Sequence, residues 1–282
     1  MSDNAALVAL LTALADDELI LGHRHSEWTG HAPHIEEDVA FSSIAQDEIG
    51  HAGAYYSLIA KLTDQATDQI ALGREPSDYR NAVLCEQPNG NWAFTLARHW
   101  LYDHADDIRL AALESSSHEE LSAIATKLRR EERYHLLHAD SWVQRISSGP
   151  VEGRARLIDA MTEAFTDAMG LFEPIELEEA AVKEGWLPVP SAEMKARFVE
   201  RTTTALDDLG LPTEVRAIDD RAAEFVASSS GDLIENAAAG EGPSPLPIAH
   251  GLGGRKGRHS PDFEILWTEM TSTYQENPGA TW

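Results

Sequence analysis

A chain of 282 residues with a formal charge of -26, 48 acidic against 22 basic residues and a single cysteine, Cys85, is long enough to bury a large core and too acidic for nucleic acid or an anionic membrane surface. No apolar run approaches the ~18 residues of a membrane span, and the opening Met1-Ser2-Asp3-Asn4-Ala5-Ala6 lacks the basic start of a secretion signal. A cytoplasmic protein without disulfides is expected, its acidity fitting either a surface adapted to high salt or an ordinary acidic cytosolic one.

Helical signals dominate. From Asn4 to about Glu27, Leu7, Leu11, Leu14, Leu19 and Leu21 recur at roughly helical spacing, and Trp28-Thr29-Gly30-His31-Ala32-Pro33 ends the run. A second helix is predicted from about His34 to Leu62. An irregular stretch with Gly73 and Pro76 follows, and the turn-like Gln87-Pro88-Asn89-Gly90-Asn91 introduces a third helix reaching about Glu114. Ser117 is the expected cap of a fourth, from His118 to about Ile146.

Beyond Pro150 the pattern stays helical to about Phe172, near Glu176 to Glu184, from Ala192 to Asp208 and near Thr213 to Ser228. These pieces are expected on the outside of the bundle. Gly240 to Gly257 is rich in Gly and Pro and reads as a loop ending in the basic cluster Arg255-Lys256-Gly257-Arg258-His259. That cluster suits a partner subunit or the phosphates of an acyl-CoA, or else neutralises neighbouring acids. A last helix is predicted from Asp262 to about Tyr274. The chain thus reads as one all-α domain, 1-282, with a four-helix core over about 4-147 and a helical extension over about 151-282.

Two Glu-x-x-His sequences lie in this core, Glu48-Ile-Gly-His51 and Glu132-Arg-Tyr-His135. Residues at i and i+3 share a helix face one turn apart, so such a pair can serve one metal or two adjacent ones. Roughly one Glu-x-x-His is expected by chance in a chain of this composition, so the motif alone is weak. The phasing gives it weight: Glu18 lies 30 residues before Glu48 and Asp103 lies 29 before Glu132. Those offsets suit two antiparallel helices and a short loop, repeated.

Glu18 competes with Asp16, Asp17 and Glu27, and Asp103 with Asp106 and Asp107; the matched offsets favour Glu18 and Asp103. Four carboxylates and two imidazoles projecting into one bundle form the ligand set of a two-metal site, suited to iron or manganese and, lacking thiolate, not to copper or structural zinc. None of the remaining histidines is assigned to metal. His138, one turn after His135, reads as core or as a neighbour of the ligands, and Tyr55, Tyr56 and Tyr134 as ordinary packing ahead of redox-active or hydrogen-bonding neighbours of the motifs.

Glu27-Trp28-Thr29-Gly30-His31-Ala32-Pro33, Glu86-Gln87-Pro88-Asn89-Gly90-Asn91-Trp92-Ala93, the Gly253 to His259 loop and the terminal Trp282 together resemble the C-subunit family of bacterial ring-1,2-phenylacetyl-CoA epoxidases, over nearly the whole chain. The resemblance implies a ferritin-like fold and membership of a multicomponent monooxygenase that epoxidises phenylacetyl-CoA with dioxygen. It also implies pairing with a catalytic A-type subunit of similar fold and electrons from a flavin and iron-sulfur reductase. C-type members generally look like decayed di-iron proteins. This chain departs from them, since Glu18, Glu48, His51, Asp103, Glu132 and His135 match all six ligand positions of the catalytic type, and Gln46 to His51 and Trp100 to Asp103 look like the catalytic type's own motifs.

The expectation is therefore an epoxidase subunit with an intact di-iron site, Glu48 and Glu132 bridging, Glu18 and Asp103 terminal, and His51 and His135 binding one iron each. Its rivals are a metal-free scaffold for the catalytic subunit and a stand-alone ferritin-like oxidase or iron-handling protein.

Overall fold

The computed structural model describes residues 4–211, 251–277 and 280. Four long helices form a ferritin-like bundle: α1 (Ala5–Ser26), α2 (Ile35–Thr63), α5 (Trp92–Leu113) and α6 (Glu119–Ser147). Side-chain pairings fix their directions. Asp16 meets Tyr56 while His25 meets Glu48, so α1 and α2 are antiparallel. Arg129 meets Asp107 while His138 meets His99, so α5 and α6 are too. Across the bundle, Arg109 meets Asp17 and Trp28 meets Thr95, which makes α5 antiparallel to α1. Helices α2 and α5 therefore run the same way, and the chain must travel back along the bundle between them.

Residues 64–91 make that return. Expected to be irregular, they carry two short helices, α3 (Thr67–Leu72) and α4 (Val83–Glu86), and a 3-10 turn over Pro76–Asp78. Arg74 anchors the segment, donating to both oxygens of Asp16 at 2.9 and 2.5 Å with its guanidinium 4.0 Å from the Tyr79 ring centre.

Local chemistry sets the helix ends. The Asn91 side chain accepts from the Phe94 N–H at 3.1 Å and starts α5. The cap of α6 is His118 and not Ser117: His118 Nδ1 accepts from the Leu121 N–H at 3.2 Å. The Ser117 hydroxyl instead donates to the Glu184 carbonyl at 2.7 Å, tying this loop to the end of α8 (Glu178–Lys183).

Helices α7 (Val151–Ala168) and α9 (Ser191–Asp208) lie against α5 on the outside of the bundle, with Phe165 stacked on Phe198 at 5.8 Å. The last helix, α10 (Pro261–Glu276), covers the return segment: Phe263 meets the Tyr79 ring edge-on at 5.5 Å, and the Trp267 indole N–H donates to the Arg74 carbonyl at 3.0 Å. Among the described residues there is no strand, and no helix is long and apolar enough to cross a membrane. The helix expected near Thr213 to Ser228, loop residues 240–250 and Trp282 lie outside the described residues.

The basic cluster turns inward at its first residue. Arg255, only 4% exposed, sits in a 3-10 turn, Gly254–Lys256. It clasps both oxygens of Asp17 at 2.8 and 2.7 Å and donates to the carbonyls of Ala13, Arg80 and Leu171. Gly254 permits this approach, since a Cβ there would run into the Asn81 carbonyl. Lys256 faces Glu173 at 3.3 Å and His259 faces Glu86 at 2.7 Å. These contacts fit the neutralising reading of the cluster.

Candidate metal centre

Each of the six residues expected as ligands is buried, none more than 3% exposed. Glu18 on α1, Glu48 and His51 on α2, Asp103 on α5 and Glu132 and His135 on α6 all face the bundle interior. Close approach of α1 to α2 depends on Gly22, one turn after Glu18. A Cβ there would lie 2.9 Å from Ile49 Cγ1, 3.2 Å from the Ala45 carbonyl and 3.2 Å from Glu48 Cβ.

Glu18, His51 and Glu132 offer ligand atoms that all lie within 4.8 Å of one another. His51 Nδ1 is 3.0 Å from Glu132 Oε1 and 3.5 Å from Glu18 Oε2, and His135 Nδ1 is 3.2 Å from the same Glu132 oxygen. Glu48 and Asp103 adjoin this group electrostatically, Glu48 feeling the charges of His135, Glu18, Glu132 and His51 and Asp103 those of Glu132, His135 and Glu48.

Despite these short distances, the inward-facing atoms make no directed hydrogen bonds. Glu18 Oε2, Glu48 Oε1, His51 Nδ1, both Asp103 oxygens, Glu132 Oε1 and His135 Nδ1 are all buried without a hydrogen-bond partner. Buried polar atoms are rarely left so. Here every one of the six residues contributes at least one, and those of Glu18, His51 and Glu132 lie within 4.8 Å of one another. That pattern fits a cation.

The electrostatics tell the same story. Burial pushes the Glu48 and Asp103 carboxyls well above their ordinary range, and the other carboxylates add to the effect. Burial alone would lower the two imidazoles, but Glu132 and Glu18 push His51 up to about 11, and Glu132 with Asp103 and Glu48 pushes His135 up to about 10. Glu132 in turn is held well below its usual range by His135 and His51, against the opposing effect of its own burial. Without a cation the site neutralises itself with protons; a bound metal would displace them.

The outward nitrogens of both imidazoles are held by acids that sequence reasoning missed. His51 Nε2 is 3.1 Å from Glu131 Oε2, and His135 Nε2 is 3.3 Å from Asp47 Oδ2. The pairing is reciprocal: each Glu-x-x-His helix supplies the acid preceding its own motif to the histidine of the facing helix. Such partners fix the tautomer and ring orientation of a metal-binding histidine. The signal was present in the sequence as the acid immediately before each motif glutamate. Tyr102 donates to Glu18 Oε1 at 2.9 Å, and His25 Nδ1 lies 2.9 Å from Glu48 Oε2.

Most rivals of Glu18 and Asp103 are engaged elsewhere. Asp16 pairs with Arg74, Asp17 with Arg109 and Arg255, Glu27 with Arg24, and Asp107 with Arg129 and Arg201. Asp106 is engaged through one oxygen: Oδ1 faces Arg109, while Oδ2 is buried without a hydrogen-bond partner and the carboxyl feels the charges of Glu18 and Glu132. Tyr134 is exposed, whereas Tyr55 and Tyr56 are in the core.

The chain is 27% identical over 277 residues, 98% of its own length and 99% of its relative's, to the C component of the 1,2-phenylacetyl-CoA epoxidase of Escherichia coli (strain K12). Residues 1–222, which carry all four bundle helices and all six candidate ligands, match the family described as "Phenylacetic acid catabolic protein"; the chain belongs to that family.

Proposed function

We propose that this chain is a subunit of a phenylacetyl-CoA epoxidase complex and that Glu18, Glu48, His51, Asp103, Glu132 and His135 hold a pair of iron ions, with manganese an alternative occupant. Its partners are then an A-type catalytic subunit and a reductase, its complex acts on phenylacetyl-CoA, and it works in the cytoplasm. The observation that carries the metal reading is the unpartnered, buried ligand atom on each of the six residues.

A bound iron pair would supply dioxygen activation and the transfer of one oxygen atom to substrate, chemistry that side chains lack. The chain's own residues prepare the site. Glu131 and Asp47 accept from the Nε2–H groups of His51 and His135, leaving each Nδ1 to face the cation. Tyr102 occupies one oxygen of Glu18 and leaves the other free. The protons held on His51 and His135 leave as metal binds, and the buried setting excludes bulk water.

A metal-free scaffold role is the second reading. It is favoured by the short His25–Glu48 contact of 2.9 Å, which already occupies one oxygen of a bridging candidate. Elemental analysis of the purified protein beside a Glu48→Ala, Glu132→Ala double variant separates the two. About two irons or manganese ions per chain, lost in the variant, is the expected result; a well-folded protein without metal leaves the scaffold role alone.

A further inference from the structure

The histidines outside the ligand set are not scattered. His99 Nε2 lies 3.3 Å from His138 Nδ1, and His138 Nε2 lies 2.9 Å from Glu37 Oε2. At its inner end His99 Nδ1 is 3.3 Å from Asp103 Oδ2. Glu37, His138, His99 and Asp103 thus form a continuous file from the surface to the candidate metal centre. Its outer end opens on a recess of about 350 Å³ between α2 and α6 that is lined by Glu37, His138, Tyr134 and Trp142.

Tautomers assigned from this network give the file a direction. The Glu37 carboxylate can only accept, so His138 donates through Nε2 and presents a lone pair at Nδ1. That lone pair receives the His99 Nε2–H. A neutral His99 is then left with a lone pair at Nδ1, facing the Asp103 carboxylate. Neither His99 Nδ1 nor either Asp103 oxygen has a hydrogen-bond partner, and His99 is fully buried. In a low-dielectric interior such a facing pair is satisfied by a shared proton, which a metal ion arriving there would displace.

A second branch has the same character. His25 gives its Nδ1–H to Glu48, and its buried Nε2 has no partner. The His25 and His99 rings meet edge-on at 5.3 Å. Phe41 sits among the three imidazoles, its ring centre 5.1 Å from His25, 5.4 Å from His99 and 5.7 Å from His138. Donor groups are thus spaced at short intervals past an aromatic ring whose face tolerates a passing cation.

We propose that Glu37, His138 and His99 form the uptake route by which a divalent metal ion passes from the recess to the buried centre, delivered to Asp103 directly and to Glu48 by way of His25. Two imidazoles lie between two carboxylates along it, donors that borderline divalent ions accept. Arg145, its guanidinium 5.0 Å from the Trp142 ring centre, also lines the recess. The inference rests on the metal-centre reading, and its test separates the two.

The full chain, stripped with a chelator, is mixed with manganese(II), and loss of the free-ion EPR signal is followed in time. Glu37→Gln and His138→Gln are each expected to slow uptake about tenfold with unchanged final stoichiometry. Glu36→Gln, the exposed acid next to Glu37, is expected to leave the rate as it is. Uptake by the wild-type chain at the same rate as by Glu37→Gln and His138→Gln overturns the route and leaves the metal centre standing. A lower final stoichiometry in either variant makes these residues ligands and also overturns the route. No uptake by the wild-type chain removes the metal centre itself, and the route with it.

Discussion

Replacing the buried Arg255 with Met should destabilise the protein strongly. Arg255 holds both oxygens of the fully buried Asp17, at 2.8 and 2.7 Å, and three backbone carbonyls at 3.1, 2.7 and 3.0 Å. Burial raises the Asp17 carboxyl, yet Arg255 and Arg109 hold it below its ordinary range, so the acid is charged in the core. The variant keeps Arg109 at 2.6 Å and the Ala82 N–H at 2.7 Å but loses the other half of the charge balance. Removing one partner of a buried ion pair costs about 3–5 kcal/mol. In a chain of this size that corresponds to a melting temperature lower by roughly 5–8 °C. Arg255→Lys should recover less than half of the loss, because one ammonium group cannot bridge two carboxylate oxygens and still reach three carbonyls. Scanning calorimetry of the two variants and of Asp17→Asn, Arg255→Met measures the effect, and the double variant should lose less than the sum of the singles. An Arg255→Met protein melting within about 2 °C of wild type would refute the argument, since Arg109 would then suffice for Asp17.

Further expectations concern the metal centre. Glu131→Gln and Asp47→Asn should each weaken manganese binding by about 10–100-fold without changing stoichiometry, read by equilibrium dialysis; equal affinity would deny these acids their orienting role. Stability should depend on pH in one direction. Against the opposing effect of burial, nearby carboxylates raise His51 to about 11 and His135 to about 10 from an ordinary 6.5. Their contribution is complete below that ordinary value and is lost as the pH climbs toward the raised ones. Buried Glu48 and Asp103, raised in the folded state, act in the same sense. The metal-free melting temperature should therefore fall from pH 6.5 to pH 9, and the increase given by manganese should widen, as fluorimetry at several pH values will show; a metal-free protein that gains stability over that interval contradicts the site electrostatics. Gly22→Ala should cost about 1–3 kcal/mol and lower metal affinity, because the new methyl meets the Ala45 carbonyl as well as movable side chains; an unchanged midpoint in urea means that α1 and α2 can part freely.

Much of this arrangement could be read from the sequence because it is periodic. The four long helices follow from apolar spacing, and their ends fall within a few residues of expectation. Both Glu-x-x-His motifs lie on buried faces because helical geometry alone puts i and i+3 together. What escaped depends on contacts between distant segments. His25 and His99 carry no local mark separating them from surface histidines such as His31, yet they flank Glu48 and Asp103. Arg255 sits in a Gly-rich basic stretch that reads as a loop, and its distant partners, Asp17 and the carbonyls of Ala13, Arg80 and Leu171, account for its burial. The cap of α6 moved from Ser117 to His118 because the serine hydroxyl was drawn to a carbonyl near residue 184. The short helices α3 and α4 took shape against Asp16, Asp17 and α10, without an apolar period of their own.

The Arg255–Asp17 clasp has a consequence for how the protein is made. Its two members are 238 residues apart, and Asp17 is the residue next to candidate ligand Glu18. A ribosome that has already released all four bundle helices has not yet produced the guanidinium that balances Asp17. Until residue 255 emerges, a nascent bundle would have to keep that acid wet, protonated or paired with Arg109 alone. The final set of the first helix, and with it the position of Glu18, is therefore a late event in synthesis. Premature termination upstream of Arg255 would yield chains with every ligand present and the ground beneath one of them unfinished.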